Sequence, residues 1–212
     1  MNIPESLHER VYLLAYDTER GRTAERRHLG YLLRAGVLAE LLIQGHLADA
    51  TGGPVARTPA VADPLLDGVL QQIAGSRRRT WQHWVSKGSG ATAREVRDRL
   101  ESGGWIRVEH GRFLGVFPTA RVSVRDTRVV RQLVGMASTA LRAGQPASRL
   151  DPRDAALAAL AAAVRLRTVR PRAQWRALRK RSDELSEVVA PVPQALRKAI
   201  QTAEAAAAAA GT

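Results

Sequence analysis

A mainly α-helical fold, built as a single compact multi-helix domain, is what this sequence predicts, and three observations carry the prediction. Hydrophobic types make up 45% of the 212 residues and aromatic types only 4%. That balance, rich in Ala and Leu, favours helices around a core of small and branched aliphatics. In the stretch around Leu32–Gly45, residues Leu29, Leu33, Val37 and Leu41 form one row at four-residue spacing, thickened by Leu38 and Leu42. Such a pattern describes a helix covered on several sides. Asp63-Pro64 and Asp151-Pro152 each pair a capping residue with a proline suited to the first helical turn. About eight helices and one β-hairpin near residues 105–117 are expected. They belong to one domain over 1–205, followed by an Ala-rich disordered tail at 206–212.

Pro4 to Tyr16 reads as the first helix, with Leu7, Val11 and Leu14 on one face. After a turn at 17–21, the central helix is expected from about Thr23, as N-cap, to Gln44, with Gly45 as a left-handed C-cap. Residues 49–62, rich in Gly, Pro, Ala and Thr, suit a loop or loose hairpin. A helix opens at Pro64 and another near Arg77-Arg78-Arg79-Thr80, where Trp81 and Trp84 share a face. Lys87-Gly88-Ser89-Gly90 reads as a flexible break, and Thr92 as the cap of a helix from Arg94 to about Glu101. Strand-like runs at 105–108 and 113–117 flank Glu109-His110-Gly111-Arg112, which suits a hairpin turn. Helices at 126–143, 155–168 and about 172–187 follow. The chain resets at Pro191-Val192-Pro193 before a last Ala-rich helix.

The central helix holds one awkward residue. Arg34 interrupts an apolar run, and burying a guanidinium costs several kcal/mol unless a partner offsets it. Either the helix turns Arg34 outward or something anionic meets it.

Composition narrows the function. Without cysteine there are no disulfides or thiolate metal sites, which fits a reducing cytoplasm. The first residues carry neither the basic nor the apolar region of a signal peptide. The longest apolar run, Ala155 to Val164, is well short of the roughly 20 residues that span a bilayer. Net charge is +13 and the pI is near 11.4, which points to a polyanionic partner. The five histidines lack metal-site spacing, and neither a nucleophile elbow nor a P-loop occurs. The expectation is a protein that is not an enzyme and uses no metal or cofactor.

Basic residues cluster instead. Eight Lys and Arg and no acid lie between Arg165 and Arg181, four more lie between Arg77 and Lys87, and Arg94 and Arg97 share a helix face at i,i+3 beside Arg99. Two readings compete. Thr92–Phe117 resembles the recognition helix and wing of a winged helix–turn–helix domain, which would bind nucleic acid. Alternatively, Phe113, Leu114, Val116 and Phe117 wedge into a membrane interface while arginines gather anionic headgroups.

A resemblance favours the second reading. Leu32-Leu33-Arg34-Ala35-Gly36-Val37-Leu38-Ala39-Glu40-Leu41 with Gln44-Gly45-His46-Leu47 is similar to the central helix of the Golgi phosphoprotein 3 family. Asp63–Leu70 followed by Thr80-Trp81, then Val96-Arg97-Asp98-Arg99-Leu100, Arg112–Phe117 and Asp151–Ala158 resemble four further family stretches in the same order. The likeness implies a mainly helical peripheral membrane protein that binds phosphatidylinositol 4-phosphate in a basic pocket and inserts a hairpin. By position, the headgroup residues fall on Arg34, Arg94 and Arg97, and the inserting hairpin on Phe113, Leu114, Val116 and Phe117. Arg27, Trp81 and Arg99 are auxiliary. The family's pocket tryptophan falls on Glu25 here, a departure. The implied partner is an anionic, phosphoinositide-like membrane lipid at the cytoplasmic face. An acidic protein and a homo-oligomer stay open, with nucleic acid behind them.

Overall fold

The computed structural model describes residues 2–58, 60–113, 117–142 and 144–211, and 110–113 and 117–120 as backbone only. Among them the chain forms nine α-helices and three two-stranded antiparallel ribbons. In order these are α1 (Leu7–Leu14), β1 (Tyr16–Asp17), β2 (Arg22–Thr23), α2 (Leu29–Ile43), β3 (Leu47–Ala50), β4 (Gly53–Ala56), α3 (Pro64–Ala74), α4 (Trp81–Ser86) and α5 (Ser89–Ser102). There follow β5 (Ile106–Phe113), β6 (Phe117–Val124), α6 (Thr127–Ala140), α7 (Pro152–Ala163), α8 (Arg179–Glu187) and α9 (Val192–Ala210). Short 3-10 turns occupy Ala147–Arg149 and Arg172–Arg176. The fold is mainly helical, as the composition and periodicity predict.

α2 is the hub. Residues Leu32 through Leu41 are all buried, and α1, α3, α4, α5, α7 and α9 pack around them. Close approach needs small residues: a Cβ on Gly36 would lie 3.2 Å from the His8 backbone, and one on Gly30 only 2.7 Å from the Ser89 carbonyl oxygen. α7 is the second inner helix, and its Ala155–Ala161 run is buried throughout. Asp63 and Asp151 cap α3 and α7 as their sequences predict, each accepting two backbone N–H bonds.

Four local expectations are corrected. α2 begins at Leu29, not near Thr23: Thr23 pairs with Tyr16 in the first ribbon, and Ala24 N–H donates to Ala15 O at 2.7 Å. Tertiary pairing overrides the helical propensity of 23–28. The break after α4 holds at Lys87-Gly88 but is shorter than expected: Gly88, at φ +72°, is the N-cap of α5, which takes in Ser89 and Gly90 and leaves Thr92 inside the helix rather than at its cap. Glu109–Arg112 are strand residues of β5, paired with 118–121, and the chain reverses between Phe113 and Phe117. Ile106 opposite Val124 and Val108 opposite Val122 set that register from the core side. Finally, the basic segment 172–187 is a 3-10 turn followed by α8, pinned where buried Trp175 donates to Arg170 O at 3.2 Å.

Candidate functional site

The apolar rows of α2 leave Arg34 inside, at 2% exposure. Its Nε donates to Trp84 O (3.1 Å), Nη1 to Thr92 Oγ1 (3.4 Å) and Nη2 to Gln72 Oε1 (3.3 Å). All three acceptors are neutral, and no carboxylate pairs with Arg34 among the described residues. Burial lowers its pKa to about 10, so the group stays cationic at neutral pH without a counter-charge. That is an uncommon state for a buried ion, and functional sites are where such states concentrate.

α5 begins directly above this cation. A Cβ on Gly88 would lie 3.9 Å from Arg34 Nη1. Because the cap is glycine, no side chain accepts from the first-turn amides, which leaves the positive end of the helix dipole over a buried guanidinium. Lys87 precedes the cap, with its ammonium 4.9 Å from the Trp84 ring centre. Charge, open amides and a left-handed glycine thus converge on one end of α5.

The other predicted residues spread along or beyond this helix. Arg94 is exposed. Arg97 is half-buried, bonded to Asp98 at 2.9 Å and close enough to influence Tyr12, whose phenol burial pushes up to about 12. Arg99 lies on the opposite flank of α5, held by Asp63 at 2.8 and 2.9 Å and by Glu95 at 3.2 Å. Its role is to clamp α5 to the start of α3. Arg27 is exposed just ahead of α2. Trp81 is buried, with its indole N–H on Asp49 Oδ1 at 2.6 Å, a packing role between α4 and β3. Phe113 and Phe117 are a cross-strand pair at the end of the hairpin. Their side chains, and Leu114 and Val116 altogether, lie outside the described residues. Glu25 sits 3.9 Å from His28 and lines a cavity with it.

Glu40 is the important residue that reading the sequence for function passes over. It is 1% exposed and accepts from Leu7 N–H (3.0 Å), Gln44 Nε2 (2.7 Å) and Arg153 Nη2 (2.6 Å). It ties α1, α2 and α7 together. A lone acid in an apolar helix, like a lone arginine, was the available signal. No group of three His, Cys, Asp or Glu residues able to hold a metal ion occurs among the described residues. None of the described helices is long and apolar enough to cross a membrane.

The fold is a helical domain wrapped around one inner helix, with a buried arginine that has only neutral partners beneath the glycine-capped start of another. The model of the Golgi phosphoprotein 3 (GPP34) family matches residues 7–203, nearly the whole chain, and the chain belongs to that family. A comparison with curated proteins found no match.

Proposed function

We propose that this is a peripheral membrane protein that binds anionic phospholipid headgroups, of the phosphatidylinositol 4-phosphate type, at the start of α5. The observation that carries the reading is Arg34: a buried cation with neutral partners only, under a glycine-capped helix N-terminus. A phosphate at that end would meet the dipole and first-turn amides and would supply the missing counter-charge. Arg94 and Arg97 lie further along the same helix to meet the surrounding anionic surface, where each basic group contributes about 1 kcal/mol. The segment Phe113 to Phe117, at the hairpin's reversal, supplies apolar residues for insertion at the cytoplasmic face of a membrane.

Vesicle sedimentation tests this. The full chain is expected to co-sediment with phosphatidylcholine vesicles containing phosphatidylinositol 4-phosphate, and not with phosphatidylcholine alone. The double variant Arg94→Glu/Arg97→Glu changes only an exposed and a half-buried residue, and should weaken binding at least tenfold. Arg34→Gln, read together with its circular dichroism spectrum, probes the buried cation. Undiminished binding in both variants removes the pocket from the account. Tight duplex-DNA binding without vesicle binding would replace the lipid reading with the winged-helix one.

A further inference from the structure

Three helices of this chain end in the same way. After α2, His46 N–H donates to Leu41 O (2.9 Å) and Gly45 N–H to Leu42 O (3.0 Å). After α5, Trp105 N–H donates to Leu100 O (2.9 Å) and Gly104 N–H to Glu101 O (3.0 Å). After α7, Leu166 N–H donates to Ala161 O (2.9 Å) and Arg165 N–H to Ala162 O (3.1 Å). This paired closure requires a left-handed residue just past the helix. The positions read φ +76° at Gly45, +74° at Gly104 and +51° at Arg165. Glycine adopts that conformation freely, whereas a Cβ makes it strained. Arg165 is the one non-glycine residue with positive φ among the described residues. Local structure prefers glycine there, so the arginine side chain is kept for another reason.

Arg165 borders a cavity of about 610 Å³ between the loop after α7, the residues ahead of α2, and α9. Arg167, Arg172 and Arg197 line it as well. None of these four guanidinium groups makes a hydrogen bond or ion pair among the described residues. Arg165, Arg167 and Arg172 are exposed, so their guanidiniums are open to an incoming ligand. The cavity's two carboxylates lie against a histidine instead: Glu25 and Glu204 are 3.9 and 3.6 Å from His28. Along α9, Arg197 and Glu204 are two turns, about 10 Å, apart. The cleft is therefore lined by four arginines without a protein partner among the described residues, in a volume suited to a small molecule.

We infer that the Arg165 cleft binds a small, multiply charged phosphate-bearing anion, gripped by Arg165, Arg167, Arg172 and Arg197. Planar guanidiniums bind phosphate oxygens in pairs, and four of them favour a ligand with more than one negative charge. The cleft is lined by none of Arg34, Arg94 and Arg97, so the inference does not rest on the lipid reading. The anion is either free in solution or carried on a lipid headgroup.

Arg165→Gly separates function from structure. Titration calorimetry with inorganic pyrophosphate should show binding by the full chain and at least a tenfold loss in Arg165→Gly. The same substitution should raise the melting temperature by about 2–4 °C, because glycine relieves the strained terminus. Arg167→Gln/Arg172→Gln should lose binding as well, whereas Arg176→Gln/Arg179→Gln, exposed residues outside the cleft with the same charge change, should retain it. Vesicles of phosphatidylcholine with phosphatidic acid identify the source. Pyrophosphate loss alone in Arg165→Gly assigns a free anion, and loss of vesicle binding too assigns a headgroup. Unchanged binding of both probes in Arg165→Gly overturns the inference. So does an equal loss in Arg176→Gln/Arg179→Gln, which would make the effect one of diffuse charge. A lower melting temperature in Arg165→Gly would make the arginine a structural cap and overturn it too.

Discussion

His8 faces the hub from α1 with no exposed surface, and neither ring nitrogen has a hydrogen-bond partner among the described residues. Burial pushes its pKa down from 6.5 to about 4. Above pH 6.5 the ring is neutral whether the chain is folded or not, and it does not affect stability. As pH falls from 6.5 towards 4, the unfolded chain binds a proton that the folded chain refuses, so stability is lost across that window. The loss is about 1.4 kcal/mol per pH unit, roughly 3 kcal/mol in all. Denaturant unfolding at pH 5 and pH 7 should show the difference, and His8→Leu should flatten it; an unaltered slope would acquit His8. Glu40 works in the opposite sense, as a buried charge that is fully satisfied. Glu40→Ala would strip Leu7 N–H and Arg153 of their acceptor at once and cost about 3–5 kcal/mol. Glu40→Gln keeps an acceptor oxygen and should cost visibly less in a thermal melt. Both residues carry sequence signals of the same kind as Arg34, a titratable group within an apolar helical row. What the row does not disclose is the partner. Arg34 finds Gln72 and Trp84, 38 and 50 residues away, and no local pattern links them.

At the scale of elements, legibility follows the reach of the forces involved. A cap and a proline write the start of α3 to the residue, and for α7 they mark the cap at Asp151 although the helix, expected over 155–168, runs Pro152–Ala163. Elements placed by tertiary pairing are not so marked: Thr23 looks like a helix cap, yet the ribbon with Tyr16 claims it. The glycines around Ser89 illustrate the limit for the candidate site. Composition marks Gly88-Ser89-Gly90 as a break, whereas a left-handed residue before a helix and a helix terminus look alike in sequence. The β5–β6 hairpin departs from its sequence pattern for a related reason: Gly111 suggests a turn but pairs with Thr119 within the ribbon. Contact between α2 and α5 gives this scale its prediction. An added methyl at Gly30 would meet the Ser89 carbonyl at 2.7 Å, and backbone cannot yield as a side chain can. Gly30→Ala should therefore cost about 1–3 kcal/mol and weaken binding to anionic vesicles, by displacing the α5 start from Arg34. Weakened stability with vesicle affinity intact would separate that helix end from the lipid site.

For the molecule as a whole, the excess of +13 charges means that any association with an anionic surface is screened by salt over a Debye length of about 10 Å at 0.1 M. Vesicle binding should fall steeply between low and moderate ionic strength. The basic run 165–181 is visible in the sequence as charge alone. That Arg165, Arg167 and Arg172 meet Arg197 across one cavity depends on a left-handed residue and on α9 returning past the start of α2, neither of which has a local signature. The end of α9 contributes little to the body: Ala205–Ala210 are all exposed. Deleting 206–212 should leave the melting temperature within about 1 °C, since no buried surface is lost. The hub helix is the converse case. Six helices cover α2, so no part of the fold can open and leave it intact while any of its amides meets water. Backbone protons from Leu33 to Leu41 can reach solvent only when the whole domain comes apart. Their deuterium exchange rates would therefore report the global unfolding free energy directly, residue by residue along one helix.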